Sequence, residues 1–121
     1  MKLFLVTGAL LAAVAVGAGA FGAHALAERL TPERLATWET AARYHMIHSL
    51  ALVMLGLIGA RWPSALLSTA GWLFIAGILI FAGTVYALAL GGPRWLGAVT
   101  PLGGLSLIAG WLALALAMAR T

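Results

Sequence analysis

The chain has 121 residues, 64% hydrophobic and only 8% charged, with seven Lys or Arg against three Asp or Glu and a formal net charge of +4. Ten charged side chains cannot cover the surface of a water-soluble domain of this size, so that class is excluded. The lack of cysteine removes disulfides, thiolate metal sites, covalently attached haem, iron–sulfur clusters and cysteine nucleophiles.

The charge-free runs are Leu3–Ala27, Tyr44–Ala60, Trp62–Pro93 and Trp95–Ala119. Apolar stretches of about 18 residues or more read as membrane spans. The first helix is expected over 3–26. Its uncharged run of 25 residues exceeds the roughly 7–15 residues of a signal-peptide core, so it is read as a retained span. Ala15, Gly19 and Ala23, with Ala18 and Gly22, are small residues at four-residue spacing. Such series let helix backbones approach in lipid, where little hydrophobic drive acts between helices. Ala15, Gly19 and Gly22 are therefore expected at helix contacts.

The second helix is expected over 32–60, with Thr31 as N-cap, Pro32 in the first turn and Glu33 complementing the helix dipole. Residues 32–43 have two courses open to them, a straight continuation or a bend along the interface. A third helix, 66–90, follows the turn Arg61-Trp62-Pro63-Ser64 and ends at the breaker Gly91-Gly92-Pro93. The fourth is expected over 100–118, starting at Thr100-Pro101, with Gly103 and Gly104 as close-packing positions. Trp62, Trp72 and Trp95 fall where indole rings favour the membrane interface. The fold expected is all-α: a single integral membrane domain, 1–121, with four transmembrane helices in an up-down-up-down bundle. Single cations flank the spans as headgroup anchors, which excludes a nucleic-acid surface. They are balanced between the two membrane sides and set no orientation.

That topology gathers His24, Arg43, His45, His48, Tyr86 and Thr100 at one end of the bundle. At 100° per residue His45, His48 and Trp38 share one face of the second helix. Glu39 and Arg43 lie on the other face at i,i+4, where a salt bridge is expected. His24, His45 and His48 could bind haem iron or a metal ion, as imidazoles in bundle cores do. The same side chains serve equally well as interhelical hydrogen-bond formers. No cofactor is required by the sequence. The polar residues stop part-way, so a dead-end pocket for a quinone ring or lipid headgroup, with Arg43, His45 and Tyr86 as donors, is favoured over a through channel. No catalytic constellation is expected: the chain has no Asp, Glu39 and His45 lie on different faces, and Ser49 and Ser106 read as helix contacts.

The series Gly22-Ala23-His24-Ala25-Leu26, Trp38-Glu39-Thr40-Ala41, Tyr44-His45-Met46-Ile47-His48, Phe81-Ala82-Gly83-Thr84-Val85-Tyr86, Thr100-Pro101-Leu102-Gly103-Gly104 and Gly110-Trp111 resembles the membrane family known as domain of unknown function 423, with its animal transmembrane protein 256 group. The likeness spans nearly the whole chain. A Ser is usual where Thr84 stands, which keeps the hydroxyl. The resemblance implies a four-helix integral membrane protein, in bacteria of the inner membrane, and supplies no activity, substrate or cofactor. The function expected is that of an accessory or scaffold protein, working through helix packing in a homo-oligomer or a larger membrane complex. The alternative is a binder of haem, metal, quinone or lipid headgroup at the polar cluster.

Overall fold

The computed structural model describes all 121 residues. Four helices, each long and apolar enough to cross a membrane, make up the chain: α1 (Lys2–Leu26), α2 (Pro32–Arg61), α3 (Ala65–Ala89) and α4 (Leu96–Ala119). Local chemistry sets their ends. The Thr31 hydroxyl accepts from the Arg34 amide at 3.2 Å, and Ser64 accepts from the Leu67 amide at 3.1 Å, each satisfying one of the orphan donors of a first turn. Gly91, at φ 93°, takes the left-handed conformation that ends α3. The Gly91 and Gly92 amides then close back on the Leu88 and Ala87 carbonyls at 3.1 and 2.8 Å, a Schellman cap.

Residues 32–43 continue α2 without a bend, giving one helix of 30 residues, about 45 Å long. The start of α4 differs from expectation. It begins at Leu96, so Pro101 lies inside the helix. Proline there lies beyond the first turn and cannot donate the i→i−4 bond to the Gly97 carbonyl. Thr100 does not cap the helix; its hydroxyl reaches the Leu96 carbonyl at 3.0 Å.

Two helices contain a π-helical turn, Gly22–Leu26 in α1 and Ile78–Ala82 in α3. Such turns widen the helix locally and re-aim the side chains around them.

The bundle pairs α1 with α2 and α3 with α4, and α2 also meets α3. The most apolar stretch of α2 is 44% buried, against 17% for α1, so α2 is central and α1 peripheral. The core is built from Phe4, Leu52, Leu55, Leu67, Phe74 and Leu107. Large apolar side chains such as Leu10, Leu79 and Leu112 point outward, as a lipid-facing surface requires. Helix approach is set by glycine. A Cβ on Gly8 would stand 2.9 Å from the Ser49 carbonyl oxygen, and one on Gly103 would stand 2.8 Å from Phe81 Cα. Those two positions bring the α1–α2 and α3–α4 backbones together.

Candidate functional site

The sequence-predicted polar residues do not converge on one point. They form a column of separate pairs. At its outer end the Trp38 indole donates to the Ala18 carbonyl of α1 at 2.8 Å. The Trp38 ring packs against Tyr86 of α3 with centroids 4.6 Å apart. Gly22 permits this, since a Cβ there would fall 2.5 Å from the indole ring. Below Trp38, the Tyr86 hydroxyl and His45 Nδ1 are hydrogen-bonded at 2.9 Å. One turn further along α2, His48 turns to a different neighbour, α4.

His48 is fixed from both sides. Its Nδ1 lies 2.7 Å from the Tyr44 carbonyl oxygen, and Trp111 Nε1 donates to its Nε2 at 2.9 Å. A carbonyl only accepts and an indole N–H only donates. His48 is therefore the neutral imidazole with its proton on Nδ1, and both ring nitrogens are engaged. Its ring is packed among Phe74 and Trp111, with centroids 5.8 Å away in each case, and only 5% of the residue is exposed. A metal or haem iron could take this histidine only by displacing the Trp111 or Tyr44 bond.

His45 is different. It is 4% exposed, and its Nε2 is buried with no hydrogen-bond partner. The Leu11 carbonyl of α1 faces the ring without closing a bond. Of the two neutral tautomers, the one in which Tyr86 O–H donates to Nδ1 leaves a single orphan, the Nε2–H. The other leaves both the Tyr86 hydroxyl proton and the Nε2 lone pair unpaired. The first is favoured, because each orphaned buried polar group costs about 1–3 kcal/mol.

The remaining candidates lie elsewhere. His24 is exposed in the π turn that ends α1, so no His24–His45–His48 ligand set assembles, and no three His or Glu side chains come together to hold a metal. Glu39 and Arg43 are both exposed on α2 and close no ion pair within 4.0 Å. Two long exposed side chains gain too little from pairing to hold one geometry. Thr100 joins Thr84 instead of the histidines, the two hydroxyls 2.6 Å apart. Among the expected packing positions, Ala15, Gly22 and Gly103 are buried at helix contacts, Gly104 is half-buried, and Gly19 is exposed with nothing near it. The column also reaches deeper than the bundle end where it was expected. His45 and His48 flank the midpoint of α2, and Trp111 lies in the second half of α4.

Several participants escape a reading of the sequence alone: Trp111 and Trp38 as donors, and Thr84 as the partner of Thr100. Ser106, expected at a helix contact, makes one, its hydroxyl donating to the Leu73 carbonyl of α3 at 2.7 Å. Ser49 donates to the His45 carbonyl at 2.7 Å, a bond within α2. Only the spacing of Trp111 from Thr100 along α4 hinted that its indole would reach bundle depth.

Residues 18–104 match the model of a family described as Protein of unknown function (DUF423). The chain is 48% identical over 117 residues to a UPF0382 membrane protein of Staphylococcus epidermidis, covering 97% of this chain and 95% of that one. It is 40% identical over 121 residues to the UPF0382 membrane protein YwdK of Bacillus subtilis, covering 99% and 98%. The chain belongs to this family. It is a membrane protein of four apolar spans. No solved structure matches it. The matched segment holds Trp38, His45, His48, Thr84, Tyr86 and Thr100 and ends before Trp111.

Proposed function

We propose that this protein is an accessory membrane protein whose working form is an assembly, made when α1 packs against α1 of a second copy. One observation carries the reading. On the outward face of α1, Ala9, Ala13 and Gly17 recur at four-residue spacing and are exposed, and a Cβ on Gly17 would meet nothing within 4 Å. By contrast Gly8, Gly56, Gly71, Gly77 and Gly110 are all consumed in contacts inside the bundle. An unpartnered glycine in a helix costs about 1 kcal/mol relative to alanine, and in lipid small residues contribute where a second backbone approaches. The face has no charged or hydrogen-bonding side chain. It therefore offers nothing to distinguish a foreign partner, whereas a two-fold contact needs only a surface complementary to itself. The polar column supports the same reading, because nearly all its groups are engaged in joining α1, α3 and α4 to α2, which makes the bundle a rigid unit.

The absence of cysteine makes the test direct. Single cysteines at Ala9, Ala13, Gly17 and, as control, Leu112 are oxidised in native membranes. Disulfide-linked dimers are expected at the three α1 positions and not at Leu112, and Gly17→Ile should abolish the crosslink at Ala13. Equal crosslinking at all four positions, or none at any, together with a monomeric mass from gently extracted protein, would refute the reading.

A further inference from the structure

His45, whose Nε2 is buried without a hydrogen-bond partner, is one of the residues lining a groove of about 210 Å³ that opens between α1 and α3. Its walls are Leu11 and Val14 from α1 and Ile78, Leu79 and Ala82 from α3, with Gly83 and Tyr86 at one end. Three of these wall residues belong to the π turn Ile78–Ala82. We propose that this groove binds a membrane-soluble ring ketone of the quinone class, whose carbonyl oxygen accepts a hydrogen bond from His45 Nε2–H. The inference stands independently of assembly through α1.

Four features lead to that chemistry. First, the Tyr86 hydroxyl occupies Nδ1, so the free group is a donor and the complementary ligand atom is an acceptor. Second, the walls are apolar apart from Tyr86 and His45, so the ligand body is apolar and carries few polar atoms. Third, the volume is below the roughly 300 Å³ at which pockets for drug-sized ligands begin. A ring fits inside while a tail stays in the lipid.

The fourth is depth. Leu11 and Val14 lie within about 5 Å of the midpoint of α1, and His45 within about 3 Å of the midpoint of α2. The ester carbonyls of phospholipids lie at the edges of a hydrocarbon core about 30 Å thick, about half that thickness from the midpoints of the spans. A carbonyl carried on a freely diffusing apolar ring is not so confined.

The test uses the full-length protein in lipid nanodiscs, with its three histidines labelled with ¹⁵N. The probe is a decyl-tailed 1,4-benzoquinone, and decylbenzene is the carbonyl-free control. Saturable addition of the quinone should move the His45 Nε2 resonance and leave His24 and His48 in place, while decylbenzene moves none. His45→Phe should weaken binding about tenfold, the loss of one hydrogen bond between neutral groups. Because His45→Phe also removes the partner of Tyr86, a second variant is needed. Gly83→Leu keeps every polar group, and its Cβ meets nothing within 4 Å, so it fills the groove of a folded protein and should abolish binding.

Unchanged quinone binding in Gly83→Leu would overturn the proposal, as would a His45 resonance indifferent to the probe. A His45 signal already displaced in ester lipids, and restored in ether-linked lipids, would assign the acceptor to phospholipid and overturn it too.

Discussion

Replacing Trp111 by Phe tests whether the His48 network holds α4 to α2. The substitution keeps a ring against Phe74, whose centroid lies 5.1 Å from that of Trp111, and removes one N–H, the donor to His48 Nε2 at 2.9 Å. His48 is 5% exposed, so neither water nor another side chain replaces that donor. The buried acceptor is left bare, at a cost of about 1–3 kcal/mol. His48→Leu removes the acceptor from the other side. In the double variant neither orphan remains, so the combined loss should fall short of the sum of the single losses. Interhelical hydrogen bonds in membrane proteins average about 0.6 kcal/mol and reach about 1.7; the upper half of that range is expected here, since the acceptor is buried and both rings are held by aromatic contacts. The parent and the three variants are compared by reversible unfolding in mixed micelles, closing a double-mutant cycle. An independent check is the ¹⁵N spectrum, which should place the His48 proton on Nδ1 in both the parent and Trp111→Phe. Additive losses within about 0.3 kcal/mol, or a proton found on Nε2, would refute the assignment of the network.

Neighbouring glycines in α4 should respond in opposite ways. Gly103→Ala places a methyl 2.8 Å from Phe81 Cα, a backbone atom that cannot swing aside, and should destabilise by about 1–3 kcal/mol; Gly104→Ala, whose nearest neighbour is the Phe81 ring at 3.7 Å, should be neutral or stabilising in the same unfolding assay. The Thr84–Thr100 contact at 2.6 Å predicts a loss of about 0.6 kcal/mol for Thr100→Val. Thr84→Ser keeps the hydroxyl and should match the parent protein, whereas a loss from Thr84→Ser with none from Thr100→Val would mean that methyl packing, not hydroxyl pairing, matters there.

The four spans, their order and the caps at Thr31 and Ser64 follow from features that act locally. A charge-free run is long enough to cross lipid or it is not, and a capping hydroxyl reaches an amide three residues away whatever surrounds it. The site depended on knowledge that no local pattern contains. Periodicity places His45 and His48 on one face of α2, but it describes azimuth about a single helix. Because α2 is the central helix, that one face is shared by several neighbours, and two side chains three residues apart reach different ones: His45 meets Tyr86 of α3, and His48 meets Trp111 of α4. Depth was hidden for a related reason. The charge-free run starting at Tyr44 suggested that the histidines sit at the entry to the membrane, yet a straight helix of 30 residues carries them to its middle. The same two facts separate their chemistry. Buried inside the bundle, a polar atom has no water to fall back on, so His48 with both nitrogens engaged is a fastener, and His45 with one nitrogen bare is the position where a ligand would change the energy of the fold. If these roles are real, His48 variants should lose stability in every lipid and with every additive, while the stability of the parent, and not that of His45→Phe, should rise when the quinone probe is present.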